Sequence, residues 1–186
     1  MGSPPEPAAG VPPAPGSYLL VIRTDHSAVL TVGRLGARRF ARGWHVYAGS
    51  ARGGLGARLR HHLAPGRPVR WHVDVLRRAG RLAELWVVLG SARAECALAA
   101  ALAGLPGAAR CTGFGSSDCR CPGHLVSFPR RPPLAGLWPG LTRLSLARPL
   151  PEEMVPAQPI LGQYAAPSSA REARASSATV SDTPLA

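Results

Sequence analysis

Lysine is absent from this 186-residue chain, and all 22 of its basic residues are arginine. Alongside the abundance of alanine, glycine and proline this reads as a GC-rich coding bias, so the missing lysine excludes no function. Acidic residues are also few, 10 in total, which leaves a formal net charge of +12. No run approaches the roughly 18 consecutive apolar residues of a membrane span, and the first residues lack a basic segment followed by an apolar one. The chain therefore reads as soluble and cytoplasmic, with no membrane role. There is no internal repeat. Cysteine is limited to Cys96, Cys111, Cys119 and Cys121, and in a reducing compartment metal ligation or buried thiols are expected before disulfides.

What is present is enough for one domain. The hydrophobic share of 46% supports a core, although much of it is alanine. Between Gly16 and Arg130 there are 17 arginines against only Asp25, Asp74, Glu84, Glu95 and Asp118, so this segment carries the whole excess of 12 and the flanks sum to neutral. Such an excess favours a polyanionic partner, for which a phosphate backbone is the usual choice. Codon bias with a solubility role is the plain alternative.

Residues 1–15 hold six prolines and no periodicity, and are expected as a disordered lead-in. Ser17 to Arg23 is a nearly continuous apolar run of strand formers, as in a strand buried on both faces. Asp25-His26-Ser27 reads as a turn into a returning strand from Ala28 to Val32, which predicts a hairpin. A strand follows from Gly43 to Gly49, then a helix covering Val73 to Arg78, a strand from Arg81 to Leu89, and a helix from Ala92 to Ala103 with Ser91 as its N-cap. Leu125 to Phe128 reads as a short strand. The domain is expected to span residues 16–130, residues 131–150 to form a packing arm through Leu134, Leu137, Trp138, Leu141 and Leu144, and residues 151–186 to be a disordered tail.

The stretch from Tyr47 to His62 organises the rest. A strand end bearing Tyr47 breaks at Gly49, and a glycine-rich turn feeds a helix on which Leu55, Leu59 and Leu63 share one face. Arg58 and His62 border that face four residues apart. An arginine held beside an apolar stripe after a tight turn sits at the lip of a cleft, where an anion can be met. In the later helix Glu95 shares a face with Leu98, Ala99 and Leu102. A carboxylate on a burying face costs several kcal/mol if unpaired, so Glu95 implies a cation, either arginine or a metal. Tyr18, Tyr47, Arg58 and Glu95 together offer the residue types that phosphodiester hydrolysis uses: a base for water, a cation for the phosphate and a carboxylate for a hard divalent ion. Two strand tyrosines can equally be packing residues.

The ordered set Gly16-Ser17-Tyr18, Val46-Tyr47-Ala48-Gly49-Ser50-Ala51, Arg58-Leu59-Arg60-His61-His62 and a later helical Glu95 resembles the GIY-YIG nuclease superfamily. The branch that also occurs fused to endonuclease-III-like proteins is the closer likeness. Its hallmarks correspond to Trp71-His72-Val73-Asp74, Glu95-Cys96 and Gly113-Phe114-Gly115-Ser116-Ser117-Asp118-Cys119, and the match spans about Gly16 to Phe128. Ser17 and Ala48 stand where both name motifs carry isoleucine, a change expected to bear on packing more than on chemistry. The resemblance implies an α/β fold of the α+β type, a small central antiparallel sheet flanked by helices. It implies metal-dependent cleavage of DNA or another nucleic acid, with one Mg²⁺ or Mn²⁺ on Glu95, Tyr47 taking the proton of the attacking water and Arg58 steadying the phosphate. Tyr18 and His62 would be supporting members. Arg34, Arg52, Arg60 and His61 are the expected nucleic-acid contacts. The rival reading is a nucleic-acid-binding module that keeps the fold without turnover.

Two further groups stand out. Cys119-x-Cys121-x-x-His124, with Cys96 or Cys111 as a fourth ligand, has the thiolate and imidazole density that suits zinc, against buried thiols beside a tight loop. In the same loop Ser116, Ser117 and their glycines can offer backbone N–H groups to an anion. Trp71-His72-Val73-Asp74 places a His-x-Asp pair at a helix start, either to aid a metal or a base, or simply to pack with Asp74 in a favourable first turn.

Overall fold

The computed structural model describes residues 14–146 apart from Pro65 and Arg67; most of the expected lead-in and all of the expected tail lie outside the described residues. Strand β1 (Gly16–Thr24) is the centre of the molecule. Leu19, Leu20, Val21 and Ile22 are each 0% exposed, so the continuous apolar run does mark a strand covered on both faces. Both of its edges are used as well, because β4 (Gly43–Ala51) and β5 (Arg81–Leu89) pair with it antiparallel on either side.

That double pairing overturns the expected hairpin between the first two strands. With no free edge on β1, β2 (Ala28–Thr31) pairs instead with β3 (Ala37–Phe40) in a separate two-stranded sheet, across a 3-10 turn at Gly33–Leu35. The main sheet has six antiparallel strands in the order β6-β7-β4-β1-β5-β8, completed by β6 (Ala109–Cys111), β7 (Leu125–Phe128) and β8 (Thr142–Leu144). With three α-helices on its faces, the fold is α+β as expected.

Alternation along the strands sorts the core into two halves. On one face Tyr18, Leu20, Ile22, Tyr47, Leu85 and Val87 pack with Leu55 and Leu59 of α1 (Leu55–Leu63), Val73 and Leu76 of α2 (His72–Ala79), and Phe114. On the other, Leu19, Val21, Val46, Ala48, Trp86 and Val88 meet Leu98, Ala99 and Leu102 of α3 (Glu95–Ala103). Leu134 is buried against this second half, and Leu137, Trp138 and Leu141 cover its margin. The same arm adds β8 beside β5 and brings arginines to the buried Glu84, whose carboxylate accepts from Arg131 and from Trp86 Nε1 at 2.9 Å, with Arg143 at 3.7 Å.

Helix α3 begins at Glu95, and Ser91 does not cap it. The hydroxyl involved belongs to Ser17 on β1: it donates to the Ser91 carbonyl and accepts from the Ala94 N–H at 3.0 Å. A residue expected to matter chiefly for packing thus ties the central strand to the turn that presents Glu95.

Ala14 and Pro15 also take part in the fold. Their carbonyls accept from Leu55 N–H at the start of α1 and from Gly90 N–H after β5, both at 3.0 Å. A chain cut to residues 14–150 should keep its melting temperature within a degree or two. Removing Ala14 and Pro15 as well forfeits two hydrogen bonds of about 1 kcal/mol each, a drop of several degrees by calorimetry.

Candidate active site

At the end of the sheet where Tyr18 on β1 lies opposite Gly49 on β4, a cavity of about 260 Å³ opens. Tyr18, Tyr47, Arg58 and Glu95 all line it, so the four residues expected to act together do converge. His62 stands one layer behind, joined to Tyr18. Arg34, Arg52 and Arg60 are exposed and lie outside the cavity lining.

The tyrosines fit only because glycine faces them. A methyl-sized group at Gly49 would meet the Tyr18 ring and hydroxyl at 2.5 Å, and one at Gly115, whose φ is +73°, would meet the Tyr47 ring at 2.6 Å. The two rings lie with centroids 6.4 Å apart, and Phe114 braces Tyr47 edge-on at 6.1 Å. Burial pushes both hydroxyls above the ordinary tyrosine range; Tyr47 adds to the effect at Tyr18, whereas Arg58 opposes it at Tyr47. Both are therefore protonated at neutral pH.

Behind Tyr18 runs a chain of hydrogen bonds across three elements. The Tyr18 hydroxyl is 2.9 Å from His62 Nε2, and His62 Nδ1 is 3.0 Å from Asp74 Oδ1. Because the Asp74 carboxylate can only accept, His62 carries its proton on Nδ1 and leaves Nε2 to accept from Tyr18. Asp74 Oδ2 accepts from His61 Nε2 at 3.1 Å and from the backbone N–H groups of Arg70 and Trp71 at 2.9 and 3.0 Å. Burial works to raise the Asp74 pKa, but these bonds outweigh it and hold the carboxyl well below its usual range. This satisfied array accounts for the close approach of His61, His62 and Asp74. His61 accordingly turns inward, edge-on to Trp71 with ring centroids 4.7 Å apart, instead of presenting itself to an outside ligand.

The Trp-His-x-Asp segment does three separate jobs. Asp74 holds the two histidines, while His72 Nδ1 accepts the Gly115 N–H at 3.0 Å and anchors the loop beside Tyr47. Trp71 lies under Arg58, whose guanidinium carbon sits 4.1 Å from the ring centroid. Arg58 forms no hydrogen bond or ion pair among the described residues, so its donors face the cavity unspent. The sequence reading left the His72-x-Asp74 pair open between aiding a metal or a base and simple packing, and placed Ser17, Trp71 and Asp118 outside the site, although Trp71, His72 and Asp118 line the cavity. The signal for four of them was in the hallmark segments; Ser17 had none, since its partners lie 74 and 77 positions away.

Glu95 supplies the carboxylate. Its Oε2 is buried and has no hydrogen-bond partner, alone in this among the described side chains. An unpaired buried carboxylate oxygen at the wall of a cavity is an incomplete arrangement, and a hard divalent cation would complete it. Glu95 and the nearby Asp118 are the carboxylates available to such an ion.

Residues 17–139, about two thirds of the chain, match the family described as domain of unknown function DUF123. The chain belongs to that family. No curated protein and no solved structure matches it. The DUF123 match includes every residue lining the cavity and extends into the arm as far as Pro139. No helix among the described residues of this DUF123 domain is long and apolar enough to cross a membrane.

The histidines and Asp74 give stability a defined pH dependence. Burial lowers the pKa of His45, His62 and His72, so below their ordinary value of 6.5 the unfolded chain binds protons that the folded chain refuses. Stability should be full above about pH 6.5 and decline below it. A second decline should begin near pH 4, as Asp74 becomes protonatable in the unfolded chain but not in the folded one. Urea denaturation at pH 7.5, 5.5 and 3.5 measures both; Asp74→Asn should start less stable and weaken the lower stage.

Proposed function

We propose that this domain is a GIY-YIG-type endonuclease that hydrolyses phosphodiesters in DNA or another nucleic acid with the help of one Mg²⁺ or Mn²⁺. The observation that carries the reading is the partnerless buried oxygen of Glu95, a residue lining a cavity that is also lined by an uncommitted arginine and two tyrosines. The ordered motifs of the sequence support the same reading independently. The arginine excess supplies the field that draws a polyanion to the surface.

A divalent ion held by Glu95 would supply positive charge against the phosphate and favour ionisation of groups around it. Arg58, kept in place by Trp71, offers its N–H fork to the phosphate oxygens, where charge accumulates as the water attacks. Tyr47 is the group expected to take the proton of that water, and it does so only as the phenolate, its own proton first given up to solvent; the bond from phosphorus to the leaving oxygen breaks as the bond to the water oxygen forms. Tyr18 orients rather than reacts: its proton is committed to His62 Nε2, so its oxygen accepts a hydrogen bond from water or substrate in a fixed direction. Asp74 keeps His62 in the required tautomer.

A second reading, a binding module without turnover, draws on the same hydroxyls. Burial holds both tyrosines protonated, and a protonated tyrosine is a donor, not a base. Incubating the full chain with branched, nicked and linear DNA and with RNA, at low salt with Mg²⁺ or Mn²⁺, separates the readings. Metal-dependent strand cleavage supports the enzyme; salt-sensitive binding with every substrate left intact supports the module.

A further inference from the structure

Between β6 and β7 the chain runs from Thr112 to His124 without helix or strand, although it supplies Gly115, Ser117, Asp118 and His124 to the cavity wall. The backbone bonds that shape it are Phe114 N–H to Cys111 O, Gly113 N–H to Pro122 O, Cys119 N–H to Ser116 O and His124 N–H to Phe114 O. At its far end three thiols gather on one imidazole. His124 Nε2 lies 2.9 Å from Cys121 Sγ, 3.4 Å from Cys96 Sγ and 3.5 Å from Cys119 Sγ, and the Cys119 and Cys121 sulfurs are 3.0 Å apart. All four ligand atoms lie within 4.8 Å of one another.

A single ring nitrogen either donates one hydrogen or accepts one, so three sulfurs around it exceed what hydrogen bonding can satisfy. Thiols buried merely as small apolar groups would face aliphatic side chains, whereas these face each other and a nitrogen. From these contacts we infer that Cys96, Cys119, Cys121 and His124 bind one zinc ion as a closed structural site. Three sulfurs and one nitrogen form a common tetrahedral zinc set, and bond lengths of about 2.0–2.3 Å put neighbouring ligands about 3.5–3.8 Å apart; Cys96 and Cys119 stand at that spacing from His124 Nε2, while Cys121 lies closer, at 2.9 Å, and would shift outward by less than about 1 Å. Thiolates select zinc over the hard ions that suit a carboxylate, so this site and Glu95 call for different metals. Cys111, the other thiol considered as fourth ligand, lies on β6 outside the cluster.

The site has a structural consequence. Cys96 is the second residue of α3, and the other three ligands belong to the β6–β7 loop, so the ion staples the helix bearing Glu95 to the loop bearing Asp118. Zinc binding does not rest on the nuclease reading, since the four ligands would hold the ion whether or not the cavity cleaves anything.

The full chain, produced with zinc in the medium and purified without chelator, should contain close to one zinc per molecule by elemental mass spectrometry. Cys96→Ser and Cys119→Ser should each lower the content at least fivefold, while Cys111→Ser and Glu95→Gln should leave it unchanged. Where a variant fails to fold, the wild type decides alone: exchange to Co²⁺ should give intense visible bands of tetrahedral coordination and a near-ultraviolet thiolate band. Native alkylation should then find Cys111 as the single reactive thiol until zinc is removed. A folded preparation with less than a tenth of an equivalent of zinc and no cobalt spectrum overturns the site, as does a Cys119–Cys121 disulfide in the freshly purified protein.

Discussion

Glu95→Gln should abolish divalent-dependent cleavage while leaving nucleic-acid binding largely in place. Glutamine keeps the size of the side chain and removes the charge that a hard metal requires. The loss of a metal's transition-state stabilisation amounts to several kcal/mol, and at about 1.4 kcal/mol per factor of ten the rate should fall about a thousandfold or more. Binding draws on the arginine surface, which the substitution leaves untouched. The same variant has a signature that needs no turnover. Without an ion the wild type carries the cost of a buried carboxylate oxygen with no partner, which an amide reduces. Glu95→Gln should therefore be at least as stable as the wild type in metal-free buffer. Adding Mg²⁺ or Mn²⁺, with zinc left in place, should stabilise the wild type alone, by up to about 2.7 kcal/mol at a hundredfold excess over the dissociation constant, and raise its melting temperature accordingly. A variant that cleaves as fast as the wild type would remove Glu95 from the site.

Arg58→Ala should slow cleavage about a hundredfold or more, the scale for loss of one preorganised group that meets developing negative charge. Trp71 holds the guanidinium over its face, and no hydrogen bond or ion pair to the described residues competes for the donors. A lysine at this position keeps charge but loses both the planar fork and the stack, so Arg58→Lys should recover only a small part of the rate. The stability cost of Arg58→Ala should be about 1 kcal/mol, from the exposed Trp71 face. Tyrosine variants divide the hydroxyl functions. Tyr47→Phe removes an oxygen that forms no hydrogen bond among the described residues and should reduce cleavage with little change in melting temperature. Tyr18→Phe leaves His62 Nε2 without its partner and should lower both. Single-turnover rates on the best substrate, with melting curves beside them, check all four variants; an Arg58→Ala enzyme within threefold of wild type would show that the phosphate is met by another group.

How much of this was legible depended on the range of the interactions. β1, β4, β5, α2 and β7 could be read because each is marked by a run of suitable residues within a few positions. β3 could not, since Ala-Arg-Arg-Phe has no apolar alternation to reveal it. β6 and β8 are three residues each and exist because a neighbouring strand offers an edge. The hairpin expected from Asp25-His26-Ser27 failed for a related reason. A turn brings two strands near each other, but β1 was already claimed on both sides by strands from farther along the chain.

The candidate site divides in the same way. Motif order singled out Tyr18, Tyr47, Arg58, His62 and Glu95, and helix phase alone gave the expectation of a cation, arginine or metal, at Glu95. From the sequence by itself came the concentration of positive charge, the burial of β1 and the residue types available for chemistry, all properties of neighbours along the chain. Only the tertiary structure decided their partners. It put Tyr18 against His62 across 44 positions, made Asp74 the support of both histidines, left α3 without a side-chain cap while Ser17 tied down the turn before it, and chose Cys96 over Cys111. A hydrogen bond or a shared ligand position is set by distances of a few ångströms, and the sequence carries no local trace of which distant side chain the sheet will bring that close.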